Sequence, residues 1–298
     1  MPIFLNRDTA KRMPRGKRRA APVRPSRRIA LDVRRAINGI MKGLIDDIEH
    51  LIPWLDGTAT PAQAAQVMRE MQQRWREVYG PDAERLAMKW VGEVSRDAKE
   101  RLEKNIARSL GIDMTAIFDD KTVFDAVSLM SMEAQSLIVT IPDEYLFGVS
   151  QAVLANYQGL PQPEGRSLTE QIRHLGGVSE RQANLIARDQ TSKINMAINQ
   201  ARQQEVGIEE YIWRTARDRR VVGNPNGKYP DGNHVHGNHW KREGQIFRWD
   251  KPPFDGHPGY AINCRCFAEP IIDVANLRSI TRTEANRMFN AIRGGEAA

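Results

Sequence analysis

Apolar residues recur every three or four positions along the first third of the chain: Ile29, Val33, Ile37, Ile40, Leu44, Ile48 and Leu51. That period marks one buried face of a helix, and Pro53 is expected to end it. Thr60 and Pro61 supply a cap and a first turn for a second helix carrying Ala64, Val67, Met68, Met71, Trp75 and Val78. Gly80-Pro81 predicts a break. Asp82 then opens a long helix to about Leu110, with Leu86, Met88, Trp90, Val91, Val94, Ala98 and Leu102 inside it and a far face dense in Glu, Lys and Arg. The Trp and Met positions read as core.

After Gly111 the helical period returns over residues 124–139, Ile141-Pro142 bends the chain, and residues 144–157 form another helix. Residues 159–165, G-L-P-Q-P-E-G, read as a loop. Ser167 and Glu170 form a capping box for a short helix that Gly176-Gly177 should end. Ser179 is the expected N-cap of the next helix, which runs to about Gln204. Beyond Gly207 the period shortens to two. Residues 211–215, 245–249 and 263–270 read as strands, and 225–237 as a polar loop rich in Gly, Asn and His. The pattern predicts an α+β protein: a mostly helical N-terminal two-thirds, then a small mixed α/β C-terminal module with short strands and long loops. The expected division is an arm (1–28), a helical domain (29–111), a linker and helix (112–136), the C-terminal module (137–275), and a C-terminal helix and tail (276–298).

Charge changes this picture at one end. Residues 1–35 hold 12 Lys or Arg against 2 Asp, a charge of +10; the chain's +7 less that +10 leaves −3 for the rest. Residues 11–28, K-R-M-P-R-G-K-R-R-A-A-P-V-R-P-S-R-R, interleave prolines and a glycine with cations. Such a stretch buries too little to offset its ordering entropy, so a flexible arm is expected. Arg12, Arg15, Lys17, Arg18, Arg19, Arg24, Arg27 and Arg28 are its candidate contacts to DNA or to an acidic face of a partner protein. No apolar run approaches the roughly 18 residues of a membrane span, and no apolar core follows the N-terminal charges as in a signal peptide. A soluble protein made in the cytoplasm, without a membrane partner, is the expectation.

Candidate chemistry lies near the other end. Four of the six histidines and both cysteines fall between His234 and Cys266. Cys264 and Cys266 flank one residue, too close for an easy disulfide. On a strand both sulfurs would share a face, and His239 and His257 could complete a tetrahedral set for a structural Zn²⁺. His234, His236 and Asp218 are alternative ligands. Two small buried thiols among ordinary loop histidines fit the same residues. No phosphate-binding glycine loop and no nucleophile elbow is present. The histidine-rich loop resembles those of His-Asn-His nucleases, but no clear helix follows it.

Read in order, the helix R-Q-A-N-L-I-A-R-D-Q-T-S-K-I-N-M-A-I-N-Q-A-R (181–202), Trp213, Asp218, Val221, His239, Gly244, Phe247, His257-Pro258-Gly259 and Asn263-Cys264-Arg265-Cys266 resemble the phage head morphogenesis family, the phage Mu F-like minor head proteins. An inserted stretch, residues 224–236, separates Asp218 from His239. The resemblance covers roughly residues 137–270. It implies a non-catalytic minor head protein of a bacteriophage, acting at the portal vertex in head assembly and in DNA packaging or delivery. The implied partners are portal protein, major capsid or scaffold protein, and phage DNA. The implied location is the virion, with the host cytoplasm during assembly. Two other readings fit the residues: a metal-dependent nuclease or protein-modifying enzyme in the C-terminal module, and a DNA-binding accessory protein without a capsid role.

Overall fold

The eight-residue row Ile29, Val33, Ile37, Met41, Leu44, Ile48, Ile52 and Leu55 is buried along one face of helix α1 (Arg27–Gly57). Pro53 sits inside that helix; the row continues past it and overrides the local break. The same outcome recurs. Helix α2 (Pro61–Leu110) runs through Gly80-Pro81, α3 (Phe124–Tyr157) through Pro142, and α4 (Leu168–Glu205) through Gly176-Gly177. A proline inside a helix costs about 3 kcal/mol. Burying one Trp at roughly 25 cal/mol per Å² over about 150–250 Å² recovers that amount. In α2, Trp75 and Trp90 are both buried, one on each side of Pro81. Gly176 is a packing position, since a Cβ there would lie 3.2 Å from Ile45 Cδ1.

This computed structural model describes residues 3–5, 15–111, 123–218, 221, 239–277 and 279–281, of which 3–5 and 279–281 by backbone only. Two of the expected caps form. Thr60 and Gln63 cap α2 reciprocally, with Gln63 N donating to Thr60 Oγ1 at 3.3 Å and Thr60 N to Gln63 Oε1 at 2.9 Å. Ser167 and Glu170 do the same ahead of α4, at 2.8 and 3.2 Å. Ser179 is no N-cap: it lies within α4 and its hydroxyl donates to Leu175 O at 3.1 Å.

The chain divides into two compact units that cut across the division expected from sequence, because the long helices contribute to both. One unit, residues 27–91 and 129–190, is built from α1 and parts of α2, α3 and α4. By length and composition α3 could cross a membrane. Within this unit its Ile138, Ile141, Tyr145, Leu146 and Val149 are buried. Its acidic residues pair with neighbouring helices, Asp143 with Arg76 at 3.3 Å and Glu133 with Gln190 at 2.9 Å. Burial pushes the Tyr145 phenol well above its ordinary pKa, with Glu49 adding to the shift.

The other unit, residues 1–26, 92–128 and 191–298, contains the strands. Strands β3 (Glu210–Arg214), β4 (Ile246–Arg248) and β5 (Phe267–Asp273) lie near the positions expected from sequence, β5 a few residues later. With β2 (Lys17–Arg19) they form an antiparallel sheet in the order β2-β5-β3-β4. A parallel pair joins β1 (Ile3–Leu5) to β6 (Ser279–Thr281). That strand stands within the region expected to be a C-terminal helix and tail; residues 282–298 lie outside the described ones.

The flexible arm needs correction over residues 15–26. Lys17, Arg18 and Arg19 pair with Asp273, Ile272 and Ile271, and Ala20 N donates to Pro270 O at 3.1 Å. Side chains one turn apart on α2 take the arm's carbonyls: Ser109 donates to Arg19 O at 2.7 Å, Asn105 to Ala21 O at 2.8 Å and Arg101 to Arg24 O at 3.0 Å. Asn195 of α4 donates to Val23 O at 3.0 Å. Partners supplied by distant helices meet the backbone demand that composition alone could not satisfy. Residues 27 and 28 open α1.

Candidate metal centre

Trp213, wholly buried on β3, anchors the site. Its backbone N–H donates to Gln245 O and its carbonyl accepts from Gly244 N, both at 2.9 Å, which fixes the 3₁₀ turn His239–Arg242 against the strand. The His239 ring stands edge-on to the indole, 5.0 Å between centroids. On the opposite side, residues 249–266 wrap around through successive turns: Gly256 N bonds Pro253 O, Tyr260 N bonds His257 O and Cys264 N bonds Ala261 O. Asn263 takes a left-handed conformation, φ 61°, which few residues other than glycine and Asn adopt readily.

These turns bring three ligand atoms together. Cys264 Sγ lies 3.3 Å and Cys266 Sγ 3.6 Å from His239 Nδ1, and all three donors fall within 4.8 Å of one another. Each residue is at most 2% exposed. A tetrahedral ion with Zn–S of about 2.3 Å and Zn–N of about 2.0 Å separates sulfur from nitrogen by about 3.5 Å. The observed spacing therefore fits zinc ligation. Arg265, between the cysteines, turns away and pairs with Asp218.

The surroundings favour thiolate at Cys264. Gly259 N donates to Cys264 Sγ at 3.3 Å. The Cys264 thiol is pulled well below its ordinary pKa, first by a hydrogen bond from Cys266 and then by His239, against burial. Cys266 is pushed up by that same bond and by burial, so without an ion it is the thiol that keeps its proton. Burial disfavours the His239 imidazolium, but Cys264 and Asp255 outweigh it and hold the ring above its ordinary value.

Of the proposed ligands, His239, Cys264 and Cys266 come together and His257 does not. His257 Nδ1 meets the Tyr211 hydroxyl at 2.9 Å, and its ring packs edge-on against Tyr211 and Trp249. Burial pushes His257 down, opposed by a hydrogen bond to the Trp249 backbone, so the ring is a neutral core residue. Asp218 is engaged with Arg265 away from the sulfurs, and among the described residues no further His, Cys, Asp or Glu joins the three. His234 and His236 lie outside the described residues.

Two residues outside the proposed ligand set shape the site. Asp255 Oδ2 lies 3.0 Å from His239 Nε2, and its other oxygen 2.7 Å from Arg242 Nη1. Gly259 has φ 91° and passes so close to α4 that a Cβ would sit 3.2 Å from Ser192 Oγ. The H-P-G triplet signalled the glycine; nothing in the sequence signalled Asp255.

Among the arm cations, Arg15, Lys17, Arg18, Arg19, Arg24, Arg27 and Arg28 are exposed, and Arg12 lies outside the described residues. Lys17 pairs with Glu210 at 2.6 Å and Arg28 with Asp32 at 3.3 Å, while Arg24 lies over the Phe267 ring.

Residues 158–269 match the family described as phage Mu protein F like protein. The matched segment contains the resemblance motif from α4 through His239 to Cys266. A Haemophilus influenzae protein described as uncharacterized is 29% identical over 289 residues, covering 91% of this chain and 60% of its own length. The chain thus spans about 60% of the length of the curated relative it matches. No solved structure shows significant similarity.

Proposed function

We propose that this protein is a minor structural component of a bacteriophage head, bound at the portal vertex and acting in head assembly and in DNA packaging or delivery. The observation that carries the reading is the family match over residues 158–269, within which His239, Cys264 and Cys266 converge on one buried cluster. Its partners are other head components: portal protein, with major capsid or scaffold protein, and phage DNA. Its place is the virion, reached from the host cytoplasm during assembly. The arm's exposed cations Arg15, Arg18 and Arg19 suit DNA phosphates or an acidic portal face. The exposed Leu129, Met132, Phe147 and Leu154 on α3 suit a chain that settles on protein partners. The test is co-purification: tagged full-length protein should retain portal protein from the same phage. Recovery of the chain alone from cells making both would refute the portal assignment.

The cluster is proposed to hold one structural Zn²⁺ through His239, Cys264 and Cys266, stapling the loops of a module with a small core. A second reading has one observation in its favour: Cys264, His239 and Asp255 line up as thiol, imidazole and carboxylate, the order of a cysteine nucleophile triad. Two features support the structural role instead. Both sulfurs converge on the same nitrogen, and Cys264 is 2% exposed, which leaves a substrate no approach. Elemental analysis should find about one zinc per chain. Cys264→Ser should release it and lower the melting temperature without abolishing any turnover.

A further inference from the structure

A histidine that binds a metal through one nitrogen must carry its proton on the other, and the group that accepts that proton sets the ring's tautomer and orientation. At His239 the two nitrogens have different neighbours. Nδ1 faces both sulfurs, at 3.3 and 3.6 Å. Nε2 lies 3.0 Å from Asp255 Oδ2. From this we infer that Asp255 is the outer-sphere carboxylate of the metal site, a positioning residue that accepts the Nε2 proton and commits Nδ1 to the ion. The inference rests on the metal reading given above.

Asp255 is itself held in place. Its Oδ1 lies 2.7 Å from Arg242 Nη1, and the Arg242 guanidinium lies 4.7 Å over the Trp213 ring. Arg242 follows His239 by three residues in the same 3₁₀ turn, where positions i and i+3 eclipse. One turn therefore presents both the ligand and the cation to one carboxylate. The turn closed by Gly256 N and Pro253 O brings that carboxylate from the opposing loop. Charge agrees with this assignment. A divalent ion with two thiolates is neutral, and the partly buried Asp255 with Arg242 is neutral, so a neutral His239 completes a set without net charge. Buried charges persist when paired in this way.

Full-length protein loaded with zinc tests the inference. Long-range ¹H–¹⁵N spectra should show His239 protonated at Nε2 and metal-bound at Nδ1. Chelator competition should show Asp255→Ala and Asp255→Asn weakening zinc roughly 10- to 100-fold. Both should keep one ion per chain and, with cobalt substituted, the sulfur-to-metal absorption. Cys266→Ser should lose that absorption intensity instead. Binding through Nε2 would overturn the inference, as would a zinc affinity for both Asp255 variants within about twofold of the parent. Either result would leave the zinc reading standing. A parent protein that binds no zinc would overturn both.

Discussion

Gly259→Ala separates the two constraints that the structure places on one backbone position. Gly259 has φ 91°, and its N–H donates to Cys264 Sγ at 3.3 Å. A Cβ there would meet Ser192 Oγ at 3.2 Å, Ser192 O at 3.5 Å and Met196 Cβ at 3.6 Å. Gly244 is the matched control: φ 81°, with Arg214 Nη1 at 3.9 Å as its nearest neighbour. An alanine in the left-handed region costs roughly 1–2 kcal/mol, and forcing a methyl into a packed contact roughly 1–3 more. Gly244→Ala should therefore cost about 1–2 kcal/mol, and Gly259→Ala about 2–5 kcal/mol. Chemical denaturation of the full-length zinc-loaded protein gives both values if the slopes agree. Gly259→Ala should also hold zinc more weakly, because displacing the turn moves the donor to Cys264. Equal costs for the two variants, with equal zinc affinity, would refute the packing of the 257–260 turn against α4.

Trp213→Ala should destabilise by about 3–5 kcal/mol. The indole supports both the His239 and Phe247 rings, so zinc affinity should fall with melting temperature. Glu243 gives a pH signature. Burial alone would raise its carboxyl pKa, but the Thr215 N–H and hydroxyl and the Arg217 guanidinium outweigh burial and lower it. A carboxyl depressed in the fold contributes stability above its ordinary pKa of 4.5, lost as pH falls toward the folded value. Glu243→Gln should flatten the acid side of the stability profile below pH 4.5 while leaving zinc content near neutrality unchanged. Asn105→Ala with Ser109→Ala removes two donors to the arm, about 0.5–1.5 kcal/mol each. Trypsin should then cut at Arg18 and Arg19 faster, with little change in the global melting temperature.

The apolar rows of the long helices were legible in the sequence, and so were the caps at Thr60 and Ser167. Their continuity was not. Pro53, Gly80-Pro81, Pro142 and Gly176-Gly177 all read as breaks, because a local signal carries no knowledge of the buried row that outweighs it. The arm failed in the opposite sense: its composition predicts mobility, but donors about 80 residues or more away on α2 satisfy its carbonyls. At the site, the N-C-R-C motif and His239 were readable as one group. His257 was not separable from them, since only the turn at 257–260 directs its ring toward Tyr211. Asp255 was invisible, because the sequence does not reveal which carboxylate in a loop will face an imidazole.

A place in the phage head is tested by the protein composition of proheads purified from cells expressing the other head genes of the same phage together with this chain. Quantitative mass spectrometry should find the chain in the particles at a few copies, far below the major capsid protein. Proheads that assemble, purify and package normally while the chain stays entirely in the soluble fraction would contradict a place in the head.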